Sequence, residues 1–331
     1  MLRIFTIIGC LLLAGIIAAG PAISGTDFFA GKTITYIVAT KAGGGYDTMG
    51  RLVAKYLEKH LAGSNVVVKN VPGAGHLIGA KTIYAAKPDG LTIGTFNTGL
   101  IYSQLTNQTD GELDLSKMSW IGKAAIESRV LVVSAGSNLR SLDDFKNPNR
   151  KIKMAVSGKG TASDIDTLML AKAFGLNVQV IPGFEGTEAE MSVLRGEIDA
   201  YVGSGSSLKP FVDNGHGRIL LEVGGEPDST ITQASDLAKT EQSKSIIALI
   251  EAQSQLARLT AGPKGIPEDR LQTLREAYTK ALADPELLVE AEKFGLPIAP
   301  ASGEVVDEHI RAVLDQSPDN IALLKASMKD E

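Results

Sequence analysis

TITYIVATKAGGGYDTMGRLVAKYLEKHL, residues 33–61, writes a strand, a turn and a helix in one line. The β-branched and aromatic run over 33–40 predicts a strand, and the pattern over 47–61 predicts a helix. Between them stand Gly43, Gly44 and Gly45. Three bare glycines before a helix N-terminus suit a backbone that passes close to a ligand, and the free N–H groups there favour an anion. Yet the first charged residue after the turn is Asp47. An aspartate at that place caps the first helix N–H groups and suits the positive end of the dipole. Its alternative role is to bond a ligand hydroxyl, an ammonium group or a bridging water.

The same alternation continues along the chain. Strands are predicted at 65–71, 91–96, 118–126 and 129–137, with a helix at 76–87. The two runs at 118–126 and 129–137 follow one another without a helix, which marks a crossing into a second unit. There the rhythm restarts: strands at 151–158, 177–183, 199–204 and 218–225, helices at 161–175 and 187–196. A long helical stretch, 234–256, leads to a lone strand at 257–263 and then to helices at 267–283, 285–295 and 305–316. This pattern predicts an α/β protein of two lobes, each a mostly parallel sheet flanked by helices, with a cleft between them. The expected division is residues 26–128 with about 257–331 in one lobe and 129–256 in the other.

Ligands of open α/β sheets sit beyond the carboxyl ends of the strands. Six loops qualify: 41–47, 72–76, 97–99, 158–163, 183–187 and 203–207. All are rich in glycine or small hydroxyl residues, and Asn97, Thr98 and Ser204 are candidates within them.

The 331 residues, 44% hydrophobic and 21% charged, are enough for two domains with sizeable cores. The N-terminus differs from the rest. After Arg3, residues 4–26 carry no charge and include LLLAGIIAAGPA, which reads as an export signal over 1–25 cut around residues 22–25. A retained anchor is the rival reading, because the run approaches the ~20 residues that span a bilayer; Gly9, Gly15, Gly20 and Pro21 weigh against it. Lipidation at Cys10 is a second alternative. Cys10 is the only cysteine, so a processed chain offers no disulfide, thiolate nucleophile or cysteine metal site. The net charge of −5 becomes −6 when Arg3 leaves with residues 1–25, which argues against nucleic acid as a partner.

Catalytic constellations are missing. KAGGGYDT lacks the Gly-Lys-Ser/Thr that closes a phosphate loop, and it is not a dinucleotide fingerprint. SGKGT at 157–161 fails the phosphate pattern too. His60, His76, His216 and His309 show no metal-ligand spacing, and no serine sits in a nucleophile elbow. No cofactor and no metal are expected. His76, opening a helix after PGAG, reads as a surface or capping residue before it reads as a contact.

Three segments in order, VATKAGGGYDTMGRLVAKYL, KNVPGAGHLIGAKTIYAAKPDGLTIGTFN and PGFEGTEAEMSVLRGEIDAYV, resemble the extracytoplasmic receptors of the tripartite tricarboxylate transporters, often called the Bug family. The likeness runs from about residue 32 to residue 315. It implies a periplasmic binding protein with a type II-like two-lobed fold that closes on an organic acid and delivers it to membrane transporter subunits. On this chain the resemblance places the ligand contacts on Gly43, Gly44, Gly45, Tyr46, Asp47 and Thr48, and on Gly73, Ala74, Gly75 and His76. From the second lobe it adds Gly160, Thr161, Ala162 and Ser163, then Phe184, Glu185 and Gly186. Departures from the family pattern are Ala39, Lys41, Tyr46, Gly50, His76 and the pair Phe184-Glu185, whose acid adds a negative charge near the cleft. The expectation is a monomeric, exported receptor for a small di- or tricarboxylate or related acid, and not an enzyme. The alternatives are a receptor of the same fold for an amino acid or aromatic acid, and, further off, an exported hydrolase or an anchored interaction protein.

Overall fold

The computed structural model describes residues 28–109, 111–147, 149–184, 187–224 and 230–328. The export signal and Cys10 lie outside the described residues, as do Glu185 and Gly186. Eleven strands form two sheets. The strands are β1 (Thr33–Val38), β2 (Asn65–Asn70), β3 (Thr92–Thr95), β4 (Ser119–Ala125), β5 (Arg129–Ser134), β6 (Ile152–Val156), β7 (Val178–Pro182), β8 (Ala200–Ser204), β9 (Gly217–Val223), β10 (Ala257–Gly262) and β11 (Ala301–Ser302). The first sheet runs β11-β4-β10-β3-β1-β2 and the second β7-β6-β8-β5-β9.

Both sheets are mixed. The βαβ units predicted from sequence supply the parallel pairs: β1 with β2 and β3, and β6 with β7 and β8. Antiparallel pairing enters where the chain crosses between sheets. β4 pairs with β10 and β11, while β5 pairs with β8 and β9. Residues 126–128 carry the chain from β4 to β5, too few for the helix that a parallel return requires. β1 is central and buried from Tyr36 to Val38, so it reads as an apolar run and not as an alternating strand.

Some helices differ from the sequence reading. The stretch expected as one helix over 234–256 is two, Ala234–Leu237 and Glu241–Ser254. Thr240 makes the break: its hydroxyl accepts from the Ser243 N–H at 3.0 Å, and Ser243 Oγ accepts from the Thr240 N–H at 3.0 Å. Helices Gly99–Leu105 and Gly205–Asp213 start on the glycines that marked loops in the sequence. The helix Pro318–Ser327, capped by Ser317, packs against Ala162–Phe174 and Glu241–Ser254 of the second sheet's layer, although the sequence grouping had put it with the first.

The core has two main parts. One lies beneath the helices Gly45–His60 and Glu268–Leu282, around Ile34, Tyr56, Leu57 and Tyr278. The larger runs from Phe96 and Trp120 at the first sheet through Leu131 and Ile165 to Ile247, so the two sheets share one apolar cluster. No helix among the described residues is long and apolar enough to cross a membrane.

Candidate functional site

A cavity of about 250 Å³ lies where the two sheets face each other, with the glycine loop after β1 on one side. Gly43 has φ +90°, a conformation that side-chain-bearing residues rarely adopt. Gly44 then caps the helix Gly45–His60 without any side-chain bond. The first-turn N–H groups have no partner within the helix and face the cleft end. Asp47 takes the third helical position, and its carboxylate turns back into the protein. Oδ2 accepts from the Gly43 N–H at 3.0 Å and from Arg51 Nε at 2.9 Å, and Oδ1 accepts from Asn70 Nδ2 at 2.9 Å. Asn70 also donates to the Thr40 carbonyl at 3.0 Å, which ties the loop to β2. Burial works against the Asp47 charge, but the bonds from Arg51, Asn70 and Gly43 outweigh it and hold the carboxyl below its ordinary range.

The opposite side is built from buried side chains. Arg129 opens β5, lines the cavity and is 7% exposed. Its Nε donates to Asp166 Oδ2 at 2.6 Å and its NH1 to Ser204 Oγ at 3.1 Å. Asp166 is fully buried; burial raises its carboxyl and the Arg129 charge pulls it back. Behind this group lies a second pair that joins the two crossings. Arg258 Nε donates to Glu127 Oε1 at 3.0 Å, while Ser206 Oγ donates to the same oxygen at 2.5 Å. Arg258 NH2 reaches Ser207 Oγ at 3.1 Å, and the guanidinium lies 4.3 Å from the centre of the Tyr46 ring. Gly45 approaches Ser207 so closely that an added Cβ would collide with its hydroxyl. The N-termini of Gly45–His60 and Gly205–Asp213 therefore meet at the cavity.

His76 and Glu190 complete the wall. His76 sits edge-on to Tyr46, with ring centres 5.7 Å apart, and its buried Nδ1 has no protein partner. Burial, helped by the Arg258 charge, lowers the imidazole to about 4, so the ring is neutral at pH 7. Glu190, from the helix Glu188–Leu194, lines the cavity with a buried Oε2 that also lacks a partner. Among the described residues no three His, Cys, Asp or Glu side chains group to hold a metal ion.

The family model for the "Tripartite tricarboxylate transporter family receptor" matches residues 49–322. The chain belongs to that receptor family. The receptor is 25% identical over 290 residues to a UPF0065 protein of Pseudomonas sp. strain P51, covering 85% of this chain and 82% of that one. It is 26% identical over 236 residues to Protein BugT of Bordetella pertussis, covering 68% and 70%. Its fold is that of the periplasmic binding protein BugD, with a TM-score of 0.74 at 21% identity over 89% of this chain and 97% of that one. It is also similar to MatC of Rhodopseudomonas palustris with bound malate, with a TM-score of 0.71 at 19% identity over 90% and 99%. An R. palustris protein with adipate superposes with a TM-score of 0.72 at 18% identity over 89% and 97%. The family is one of solute-binding receptors and not of enzymes.

Of the residues read from the receptor's sequence, Gly43, Gly44, Gly45, Tyr46, Thr48, His76, Asn97, Ser163 and Ser204 line the cavity. Thr98 borders an adjoining recess, where Gln253 Nε2 donates to its hydroxyl at 2.5 Å. The other described ones stand back from the cavity. Asp47 faces Arg51 and Asn70. Gly73, Ala74 and Gly75 form the turn behind His76, and Gly75 lies against Thr161. Gly160 donates its N–H to Asp164 at 2.7 Å, Thr161 caps the helix Ala162–Phe174, and Ala162 is buried against Gly99. Phe184 packs on Ala189, Val193 and Ile198.

Sequence reading missed Arg129, Glu190 and Tyr201, and it held Ser206 and Ser207 within the candidate loop 203–207 without naming them; all five line the cavity. It also missed Glu127 and Arg258 behind them. A signal was present: Arg129 and Arg258 are the only charges in the mainly apolar strands RVLVVS and ARLTAG, and Asp166 follows Ile165 in a helix with Met169 and Leu170 one turn on. A charge placed so requires a partner inside the fold.

Proposed function

We propose that this receptor captures a small organic acid in the cleft and presents it to the membrane subunits of a tripartite tricarboxylate-type secondary transporter. The observation that carries this reading is the buried Arg129 guanidinium, held by Asp166 and Ser204 and facing the cavity opposite the free N–H groups of Gly45–His60. A ligand carboxylate between them meets a fixed cation on one side and a helix N-terminus on the other, with hydroxyls of Ser163, Ser204, Ser206 and Ser207 nearby. The volume corresponds to about eight waters, at ~30 Å³ each, which suits an acid of four to six carbons.

In this reading the two sheets are the cores of two lobes, residues 126–128 and the entry to β10 form the hinge, and ligand contacts from both sides select the closed state. Residues 1–25 are the export signal, the processed receptor is a periplasmic monomer, and no cofactor takes part. Malate and adipate in the similar R. palustris structures support the class of ligand. The test is calorimetry or thermal shift of dialysed protein with a panel of mono-, di- and tricarboxylates. At least one acid binds and raises the Tm; no response to any of them overturns the reading.

A further inference from the structure

Resting on the carboxylate reading of the cleft, we propose that Glu190 makes it select an acid whose other end carries a hydrogen-bond donor, a hydroxyl or an ammonium group, over a dicarboxylate of the same length. Glu190 stands in the first turn of the helix Glu188–Leu194 and borders the cavity beside Tyr201. Its Oε2 is buried and accepts from no protein group. A carboxylate shielded from water with one oxygen lacking a donor is unfavourable, and a ligand donor on the cavity side of the group would relieve it. The neighbouring cations bond acids other than Glu190. Arg129 holds Asp166 and Ser204, and Lys41 pairs with Glu188 at 3.8 Å near the surface.

The cavity wall thus carries one buried cation, Arg129, with donors left beyond Asp166 and Ser204, and one half-buried anion, Glu190. A ligand with a carboxylate at one end and a donor at the other satisfies both. A second carboxylate would instead meet Glu190 as like charge against like charge in a partly dried site. Burial raises the Glu190 carboxyl above its ordinary range, and Tyr201 is pushed up to about 12 by burial first and by Glu190 after it. Both shifts place the Glu190 carboxylate in a shielded part of the wall beside Tyr201. Asp47, the acid that the sequence put forward for such contacts, is already saturated by Gly43, Arg51 and Asn70.

Titration calorimetry of the receptor with γ-aminobutyrate, γ-hydroxybutyrate and succinate tests this. The native receptor binds one of the first two about tenfold or more tighter than succinate. Glu190→Gln narrows that ratio by about tenfold, weakening the donor ligand and tightening succinate, whereas Glu190→Asp keeps the direction of the preference. Succinate binding more tightly to the native receptor, or a ratio that Glu190→Gln leaves unchanged, overturns the inference while the carboxylate reading stands. Failure of all three and of the wider acid panel overturns both.

Discussion

The two sides of the cleft are made of different material. On the Gly43–Thr48 side the contact surface is backbone: glycines, first-turn N–H groups, and an aspartate that works from behind to hold the loop. On the other side it is side chains from separate elements, the buried Arg129 from β5 and half-buried groups such as Ser204 from the end of β8. Ser206 and Ser207 come from the helix Gly205–Asp213 and Glu190 from Glu188–Leu194. Backbone donors attract an anion without specifying what else the ligand carries, since they depend on chain path and not on residue type. Side-chain charges discriminate, because each needs a partner of opposite sign or a donor. In the proposed reading, both sides draw the acid group and the side-chain jaw sets ligand identity.

The largest effect follows from removing the cation. Arg129→Met lowers affinity on the order of 100-fold and costs about 3–5 kcal/mol of stability, because Asp166 is left buried and alone. Combining it with Asp166→Leu restores the Tm but not the binding, which separates the two roles. Undiminished affinity in Arg129→Met would make that jaw structural only, and the backbone side would then carry recognition by itself.

An intermediate effect belongs to His76, which lies edge-on to Tyr46 and feels the Arg258 charge. Its folded value of about 4 lies below the ordinary 6.5, so the unfolded chain takes up the proton first. The stability it contributes is fully present above about pH 6.5 and is lost as pH falls toward 4. The Tm therefore drops between pH 7.5 and pH 5, and His76→Asn makes that drop smaller. An equal drop in both proteins would show that other groups, and not His76, carry the pH dependence.

The smallest effect is on the backbone side. Asp47→Ala removes the bonds to Gly43, Arg51 and Asn70, so the loop loosens while the N–H groups remain. Affinity falls by a few-fold to about tenfold, near 1 kcal/mol, and the fold persists by circular dichroism. Unchanged affinity makes Asp47 a spectator, and a lost fold makes it scaffold alone.

Much of the architecture was legible because its signals are local. Residues 33–61 gave strand, glycine turn and helix through patterns only a few residues long, and the break between 118–126 and 129–137 marked the crossing. What escaped was of two kinds. The helices Gly99–Leu105 and Gly205–Asp213 begin on glycine, and their first residues carry the same small-residue signal as a loop. The charged partners escaped because pairing has no period: Glu127 meets Arg258 across 131 residues and Arg129 meets Asp166 across 37.

The sequence by itself determined the two α/β units, the glycine turns and the kind of backbone surface they expose, since period and glycine placement constrain each segment before it meets any other. Tertiary structure alone decided that Asp47 turns inward, that Arg129 and Glu190 face one cavity, and that Gly45 meets Ser207 across it. Those outcomes depend on which buried charges find partners once distant segments pack. Coulomb interaction and desolvation act through space, and the order of residues along the chain does not encode that distance.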